Sequence, residues 1–302
     1  MDYLGTLNSA LTAVSKEIAE TKYADIVFPQ FVYVDSSANP LMDSVKHLHA
    51  ETTGDLFDGI IDEKTSVFDN VNVNFTATTS KLYSWFKTVQ WTMHEIERAS
   101  VYGIKLDTTK IRGLSHNAQL TLQAVAFVGN PRIHGITGLL NSPAVKTLET
   151  KAKKPISEMT FEEATSTFKE MFSRVLDQTS TIATPDTFAI SAVDHAHLGF
   201  LTKTTGDTSA LKWLTETLEG VAGKQVKIVK IPGTITKLAT NGKKTRAIAY
   251  VNDKNHVSFD VPLMPTIVAP HRDSIATYQA GMKMVFGSVN FLEPESATYI
   301  EY

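Results

Sequence analysis

Residues 107–141 read DTTKIRGLSHNAQLTLQAVAFVGNPRIHGITGLLN, a stretch that joins a helical pattern to a glycine-rich turn. The apolar residues at helical spacing are Ile111, Leu114, Ala118, Leu122 and Val125. Asp107 is a residue type favoured at helix N-caps, and Gly129-Asn130-Pro131 holds the residue types that end helices. The stretch therefore predicts a helix over about 107–128, about 30 Å long by the helical rise. A turn closing on Leu139-Leu140-Asn141 follows it.

The segment upstream of this helix predicts a long β-hairpin. Apolar and polar residues alternate over 45–49 and again over 67–75, which indicates two half-exposed strands around a polar middle. Two strands cannot form a stable core by themselves, so we expect the hairpin to project and to need a partner surface. Its acidic residues outnumber Lys46 and Lys64, and they are Asp43, Glu51, Asp55, Asp58, Asp62, Glu63 and Asp69.

The N-terminal residues predict an amphipathic helix followed by an extended segment. The apolar stripe of the helix is Leu4, Leu7, Leu11, Val14 and Ile18. A helix this short is marginal alone, so the stripe is expected to dock either on the chain's own core or on a neighbouring subunit. Pro29 lies inside the β-rich run 26–34, which predicts an edge strand or an extended arm.

Between the hairpin and the middle of the chain, aromatic strands and amphipathic helices are predicted. Residues 82–91 predict an aromatic strand, and residues 92–101 predict a helix. Thr160-Phe161-Glu162-Glu163 has the spacing of a capping box and predicts a helix start. Residues 187–191 predict a short buried strand, and residues 208–221 predict a helix.

The last third of the chain predicts mainly strands. Residues 226–231 and 246–251 are strand-like, with Asn241-Gly242 as a turn signal between them. The interval 224–246 contains seven basic residues and no acidic one. It is interpreted either as a solvated strand-turn-strand or as a contact to phosphates. In the tail, 274–292 predicts one long strand or a strand pair.

The composition describes a folded protein of mixed α/β class. The chain has 302 residues, a net charge of −3, 42% hydrophobic residues and no cysteine. The lack of cysteine excludes disulfide scaffolds, thiolate metal sites and a cysteine nucleophile, and the near-neutral charge argues against a dedicated nucleic-acid binder. No apolar run is long enough to span a membrane, and the first residues lack signal-peptide features. We therefore expect a soluble protein made inside the cell.

No catalytic, cofactor-binding or metal site is predicted. His94-Glu95 resembles the start of a zinc-protease motif, but Arg98 stands where the second histidine would be needed. The pairs His47/His49 and His195/His197 have no third ligand nearby. Ser115 lies inside the predicted helix and lacks the second glycine of a nucleophile elbow. An unrecognised hydrolase or binding module is the remote alternative to a structural role.

The order of these elements resembles the major capsid proteins of tailed double-stranded-DNA phages, which have the Hong Kong 97-type fold. The resemblance covers about residues 25–302, and the segments that carry it are 91–99, Asn130 with 135–141, 245–250 with Asp253, 257–262, 287–289 and 294–297. Among such proteins, the chain is similar to those without a long N-terminal scaffold segment, so no N-terminal trimming is expected.

The resemblance implies an α+β fold with four named parts. These would be an N-terminal arm over 1–40, an extended E-loop over 41–80, a peripheral (P) domain over 81–141 and 263–302, and an axial (A) domain over 142–262. Hexamers and pentamers would form an icosahedral phage head around double-stranded DNA, assembled in the host cytoplasm. An encapsulin-like compartment is the alternative within the same fold.

The implied partners are other copies of the chain, a portal, a scaffold or decoration protein, and packaged DNA bound without sequence specificity, with no membrane and no enzymatic activity. We hypothesise that the acidic E-loop and the basic interval meet between subunits and set their register. The E-loop lysine that could form an inter-subunit isopeptide bond, as in some members, is Lys64. The candidate inter-subunit contacts are Leu4, Leu7, Leu11, Val14, Ile18, Asp55, Asp58, Asp62, Lys64, Lys243, Lys244 and Arg246.

Overall fold

A computed structural model gives the fold of most of the chain. It describes residues 26–53, 72–102, 106–133, 135–148, 154–203, 208–232, 235–240, 242 and 244–302. Ten of the candidate contact residues lie outside this part: Leu4, Leu7, Leu11, Val14, Ile18, Asp55, Asp58, Asp62, Lys64 and Lys243. Lys244 and Arg246 lie within it.

The described residues form strands and helices in an α+β arrangement. The strands are β1 (Tyr33–Asp35), β2 (Ser44–Thr53), β3 (Asn72–Lys81), β4 (Tyr83–Thr92), β5 (Lys146–Leu148), β6 (Thr187–Ser191), β7 (Lys227–Ile231), β8 (Arg246–Tyr250), β9 (Val257–Asp260), β10 (Leu263–Arg272), β11 (Thr277–Phe286), β12 (Val289–Phe291) and β13 (Ala297–Glu301). The helices are α1 (Met93–Tyr102), α2 (Leu106–Val128), α3 (Phe161–Gln178), α4 (Ala192–Phe200), α5 (Ala210–Ala222) and α6 (Ile235–Leu238).

The strands form four sheets. A five-stranded mixed sheet has the order β5-β13-β8-β6-β7, and a three-stranded sheet has the order β10-β11-β4. A second three-stranded sheet has the order β1-β9-β12, and β2 pairs only with β3 among the described strands. The five-stranded sheet therefore joins strands from distant parts of the chain.

The main core lies on both faces of the five-stranded sheet. Ile248 and Tyr250 of β8 face a cluster that includes the buried side of α2, whereas Ala247 and Ala249 face a cluster with α3 and α5. This alternation follows from the two-residue period of a strand. Because both faces are covered, β8 is almost entirely apolar in sequence.

The glycine turn completes the C-terminal end of α2. Leu139 and Leu140 donate their N–H groups to Ala126 O and Phe127 O at 2.8 Å. The Asn141 side-chain amide donates to Val128 O, and Gly129 N–H donates to Val125 O. Helix ends normally leave four carbonyls without partners, and here all four are satisfied within 13 residues of sequence.

Two glycines make this turn possible. Gly129 has φ +71°, and a Cβ there would lie 2.1 Å from Ile136 O. A Cβ on Gly138 would lie 2.5 Å from the backbone of Phe127. Tyr299 of β13 donates from its hydroxyl to Leu139 O at 2.8 Å, so the turn is also fixed to the five-stranded sheet.

Most predicted elements are confirmed. The capping box at Thr160 and Glu163 begins α3, and β6 spans the predicted residues 187–191. The hairpin is present as β2 and β3. Helix α2 ends at the predicted position but begins at Leu106, so Asp107 lies in its first turn and is not its N-cap.

One local prediction was wrong, and two others were confirmed only in part. β7 and β8 do not form a strand-turn-strand, because β6 lies between them in the sheet and the short helix α6 lies between them in sequence. Residues 274–292 contribute β11 and β12 to two different sheets. Pro29 lies in a 3-10 turn, Phe28–Gln30, and the edge strand β1 begins only at Tyr33.

Candidate assembly surfaces

The β2–β3 hairpin has two chemically different faces. Its ten residue pairs run from Ser44 opposite Lys81 to Thr53 opposite Asn72. Directly opposed residues share a face, and alternate residues along a strand share it too. Leu48, Phe75 and Val73 therefore lie on one face, and His47 lies on the other.

The first face carries a row of apolar residues that the described residues of the chain leave uncovered, beyond the polar pair Lys46 and Thr79 nearer its base. Leu48 is 71% exposed, Phe75 is 73% exposed and Val73 is 48% exposed. Ala77, opposite Leu48, is exposed on the same face. Burying a side chain of this size against a partner contributes about 1.5–3 kcal/mol. This row of residues, here named the hairpin stripe, is suited to contact another protein surface.

The second face is fixed to the rest of the subunit at the root of the hairpin. His47 Nε2 lies 3.1 Å from Asp260 Oδ2 on β9, and Asn290 on β12 donates from Nδ2 to the same oxygen at 2.8 Å. Asp260 has a side chain that is only 2% exposed. The hydrogen bond to Asp260 raises the pKa of His47, against the opposing effect of burial. The hairpin is thus held by a buried polar cluster.

Lys244 and Arg246, predicted as contacts between subunits, lie next to Glu301 of β13. Arg246 donates from Nε to Glu301 Oε1 at 3.0 Å and from Nη1 to Leu140 O at 2.6 Å. Its guanidinium lies 4.9 Å from the centre of the Tyr299 ring. Lys244 Nζ lies 3.6 Å from Glu301 Oε2. Arg246 therefore ties β8 to β13 and to the glycine turn, and an inter-subunit role for either residue stays a prediction.

The rest of the basic interval divides into paired and exposed residues. Lys224 Nζ lies 3.2 Å from Asp186 Oδ2, so acidic residues from outside the interval neutralise part of it. Lys227, Lys230 and Lys237 are exposed. A count of charges along the sequence could not reveal Asp186 and Glu301 as partners, because they approach only in the folded sheet.

Glu95 and Ser115, two of the residues considered for catalysis, have structural roles. Thr92 N–H donates to Glu95 Oε2 at 3.0 Å and Glu95 N–H donates to Thr92 Oγ1 at 3.2 Å, which is a capping box at the start of α1. The backbone N–H of Thr92 and the nearby Lys110 lower the pKa of Glu95. Ser115 is buried in α2. Sequence analysis missed the Thr92-x-x-Glu95 signal by interpreting Glu95 as part of a failed zinc motif.

No metal site or membrane span is found among the described residues. No cluster of three or more histidine, aspartate or glutamate side chains suited to a metal lies within them. None of the helices in this part is both long enough and apolar enough to cross a bilayer. An open groove of about 340 Å³ runs along α2, and its lining includes Asn117, Leu120, Thr121 and Pro131 but no acidic or basic residue.

Comparisons with known proteins agree with this arrangement. The sequence profile of the family described as "Major capsid protein" matches residues 58–302. No curated protein matches the chain significantly.

Solved structures similar to this chain come from viral and virus-like particles. The capsid of Myoviridae phage XM1 matches with a TM-score of 0.76 at 12% identity, covering 93% of each chain. The virus-like particle from Pyrococcus furiosus matches with a TM-score of 0.55 at 12% identity, covering 99% of this chain and 100% of that one. The capsid of a native GTA particle matches with a TM-score of 0.55 at 11% identity, covering 91% and 89%.

The predicted α+β fold of Hong Kong 97 type is confirmed by these structural matches. The profile covers most of the chain, including β3, the whole of α2, the glycine turn and every strand of the five-stranded sheet. The chain therefore belongs to the major capsid protein family, whose members form phage-like shells.

Proposed function

We propose that this chain is the structural subunit of an icosahedral phage head, in which hexamers and pentamers of identical copies enclose double-stranded DNA. The observation that carries the proposal is the hairpin stripe, an apolar row of Leu48, Phe75 and Val73 that the described part of the subunit leaves open to solvent. A monomer gains nothing from exposing such a row. A shell of identical copies provides a matching surface for every hairpin.

The proposal keeps the four-part division of the chain, with one adjustment. Residues 41–80 act as the E-loop, residues 81–141 with 263–296 form the P domain around α2, and residues 142–262 form the A domain. Strand β13 pairs with β8 and β5, which supports grouping residues 297–301 with the A domain. Residues 1–40 act as the arm, and Phe28, Phe31 and Val32 anchor its last part in the core.

The proposed role is structural and not enzymatic. Capsid subunits act through contact surfaces, and Glu95 and Ser115 serve helix capping and packing here. The proposed partners are a portal, a scaffold or decoration protein, and DNA packaged without sequence-specific contacts. The proposed place of assembly is the host cytoplasm, and the mature location is the virion.

An encapsulin-like compartment is the second candidate. Its support is the full-length match to the virus-like particle from Pyrococcus furiosus, which covers both chains almost completely. The match to the phage XM1 capsid has the higher TM-score, 0.76 against 0.55. That difference favours the phage head.

Electron microscopy of particles purified from producing cells tests the proposal. We expect regular closed shells, with DNA-filled heads attached to tails and nucleic acid that resists nuclease until the shell is opened. Shells filled with a copurifying enzyme and lacking tails would support the compartment instead. A species that remains monomeric at high concentration would contradict both shell functions.

A further inference from the structure

The root of the hairpin contains a buried carboxylate whose cationic partner comes from the hairpin itself. Asp260 on β9 is almost completely buried, and the ion pair found for it among the described residues is with His47 on β2. Asn290 on β12 donates to the same carboxylate oxygen at 2.8 Å. A buried carboxylate is costly unless charged or strongly polar donors satisfy it. The stability of this contact therefore depends on the protonation of His47.

The charged groups that face His47 all raise its pKa. Asp260 of β9 and Asp35 of β1 both favour its protonated form, and these two acids are neighbours in the β1–β9 pairing. The groups that the other described strands contribute to the root are neutral: Asn290 of β12 and Ser80 of β3, whose buried hydroxyl has no hydrogen-bond partner among the described residues. Burial is the opposing influence on His47.

The backbone of Gly287 packs closely against the cluster, which leaves little room for the hairpin to shift against β9. A Cβ on Gly287 would lie 3.0 Å from Ser80 Oγ and 3.2 Å from Asp260 Cβ. Leu82 N–H also donates to Asp43 O at 2.9 Å and closes the base of the hairpin. Six residues of β2, 48–53, lie beyond His47 and extend the paired hairpin about 20 Å from the cluster, so a rotation of about 10° there moves the end of the paired strands by about 3.5 Å.

We propose that His47, Asp260 and Asn290 form a proton-dependent latch that fixes the angle of the β2–β3 hairpin relative to the body of the subunit. The inference rests on the proposed function, in which this hairpin reaches a neighbouring copy. In the latched state His47 carries two ring protons and donates from Nε2 to Asp260. In the released state His47 is neutral, so Asp260 loses its charged partner and keeps only uncharged donors among the described residues, Asn290 and one tautomer of the His47 ring.

The direction of the pH effect follows from linkage. The pKa of His47 is raised in the folded chain, so its contribution to stability is fully present below the ordinary histidine pKa. The contribution is lost as the pH rises through the raised value. The latch therefore closes in acid and opens toward alkaline pH. In a shell, release would free the hairpin to change its angle on the neighbouring subunit.

The test measures the hairpin angle in unassembled subunits. The chain has no cysteine, so nitroxide labels can be attached to Asn74→Cys on the hairpin and Lys254→Cys on the body, both exposed positions. Pulsed electron–electron double resonance then gives the distribution of distances between the two labels at pH about 5 and about 8.5, which bracket histidine titration. We expect a narrow distribution in acid and one about twofold broader in alkali, as two hairpin orientations become populated.

Three variants of the labelled chain make the result specific. The distance distribution of His47→Gln should be broad at both pH values. That of His47→Lys, which keeps a cation at this position, should be narrow at both. His94→Gln, at an exposed histidine on α1, should behave as the parent. Circular dichroism confirms that each variant is folded.

A distribution in the parent chain that does not change with pH would overturn the latch, as would a pH response that survives in His47→Gln. Particle formation, followed separately by electron microscopy, reports on the proposed function. Failure of the latch and failure of the shell function are therefore distinguishable.

Discussion

The glycine turn after α2 and the β2–β3 hairpin both pair their backbone groups, but they differ in whether their apolar side chains are buried within the subunit. In the turn, the last four carbonyls of α2 find donors close in sequence, and Leu139 and Leu140 are fully buried. In the hairpin, the backbone is paired but Leu48 and Phe75 lie open to solvent. The turn is complete within one subunit, and we propose that the hairpin is completed by a neighbouring copy. Mutations should therefore affect folding in the first region and assembly in the second.

The largest expected effect is in the glycine turn. Gly138→Ala places a Cβ 2.5 Å from the Phe127 backbone, and Gly129→Ala also forces a side chain into the left-handed region. Each should lower the free energy of unfolding by about 3 kcal/mol or more, measured by urea denaturation. The matched control is Gly113→Ala on the exposed side of α2, where nothing lies within 4 Å. It should raise stability by up to about 1 kcal/mol. Equal effects at Gly113 and Gly138 would contradict the account of the turn.

The next effect separates assembly from folding. Leu48→Ser combined with Phe75→Ser should abolish shells in sedimentation and electron microscopy. The same variant should change the free energy of unfolding of the subunit by about 0.5 kcal/mol or less, because neither side chain is buried in the subunit. Asn74→Ser, on the opposite face of the same hairpin, should assemble normally. Unimpaired shells from the double variant would remove the hairpin stripe from the assembly interface.

A smaller effect distinguishes two neighbouring basic residues. The side chain of Arg246 is 17% exposed and bonds to Glu301 and Leu140, whereas that of Lys244 is 57% exposed. Arg246→Ala should cost about 2 kcal/mol of subunit stability, and Lys244→Ala less than about 1 kcal/mol. Thermal unfolding of unassembled subunits measures both. If Arg246→Ala instead leaves the subunit stable and blocks assembly, its main partner lies on another copy.

The smallest effect concerns long-range charge. Neutralising Asp55, Asp58 and Asp62 to asparagine should slow assembly and flatten its dependence on salt, since charge complementarity acts mostly on encounter rates. Light scattering at several salt concentrations follows both quantities. Shells that form at the parental rate and with the parental salt dependence would exclude an acidic hairpin meeting a basic interval between subunits.

Sequence was a good guide wherever the determining contacts are local. The capping box at Thr160, the buried strand 187–191 and the end of α2 each depend on residues within one turn or one strand, and all three are confirmed. The prediction of a strand-turn-strand over 226–251 was wrong because β6, about 40 residues earlier, inserts between β7 and β8. Local turn signals cannot exclude such an insertion.

The sites were harder to predict than the elements. His47 and Asp260 are 213 positions apart, and His47 and Asn290 are 243 apart, so no motif spacing could join them. The alternation of 67–75 did indicate a half-exposed strand, and Val73 and Phe75 prove to be its exposed apolar residues. The sequence predicted a projecting hairpin that needs a partner surface, but it did not single out Leu48, Val73 and Phe75, because the pairing register decides which residues share a face.

A cryo-electron microscopy reconstruction of the assembled particle shows whether the hairpin stripe is an interface between subunits. We expect a closed shell in which Leu48, Phe75 and Val73 of every subunit are buried against a neighbouring copy. A shell in which the hairpin stripe still faces solvent would contradict it, as would a protein that forms no closed particle.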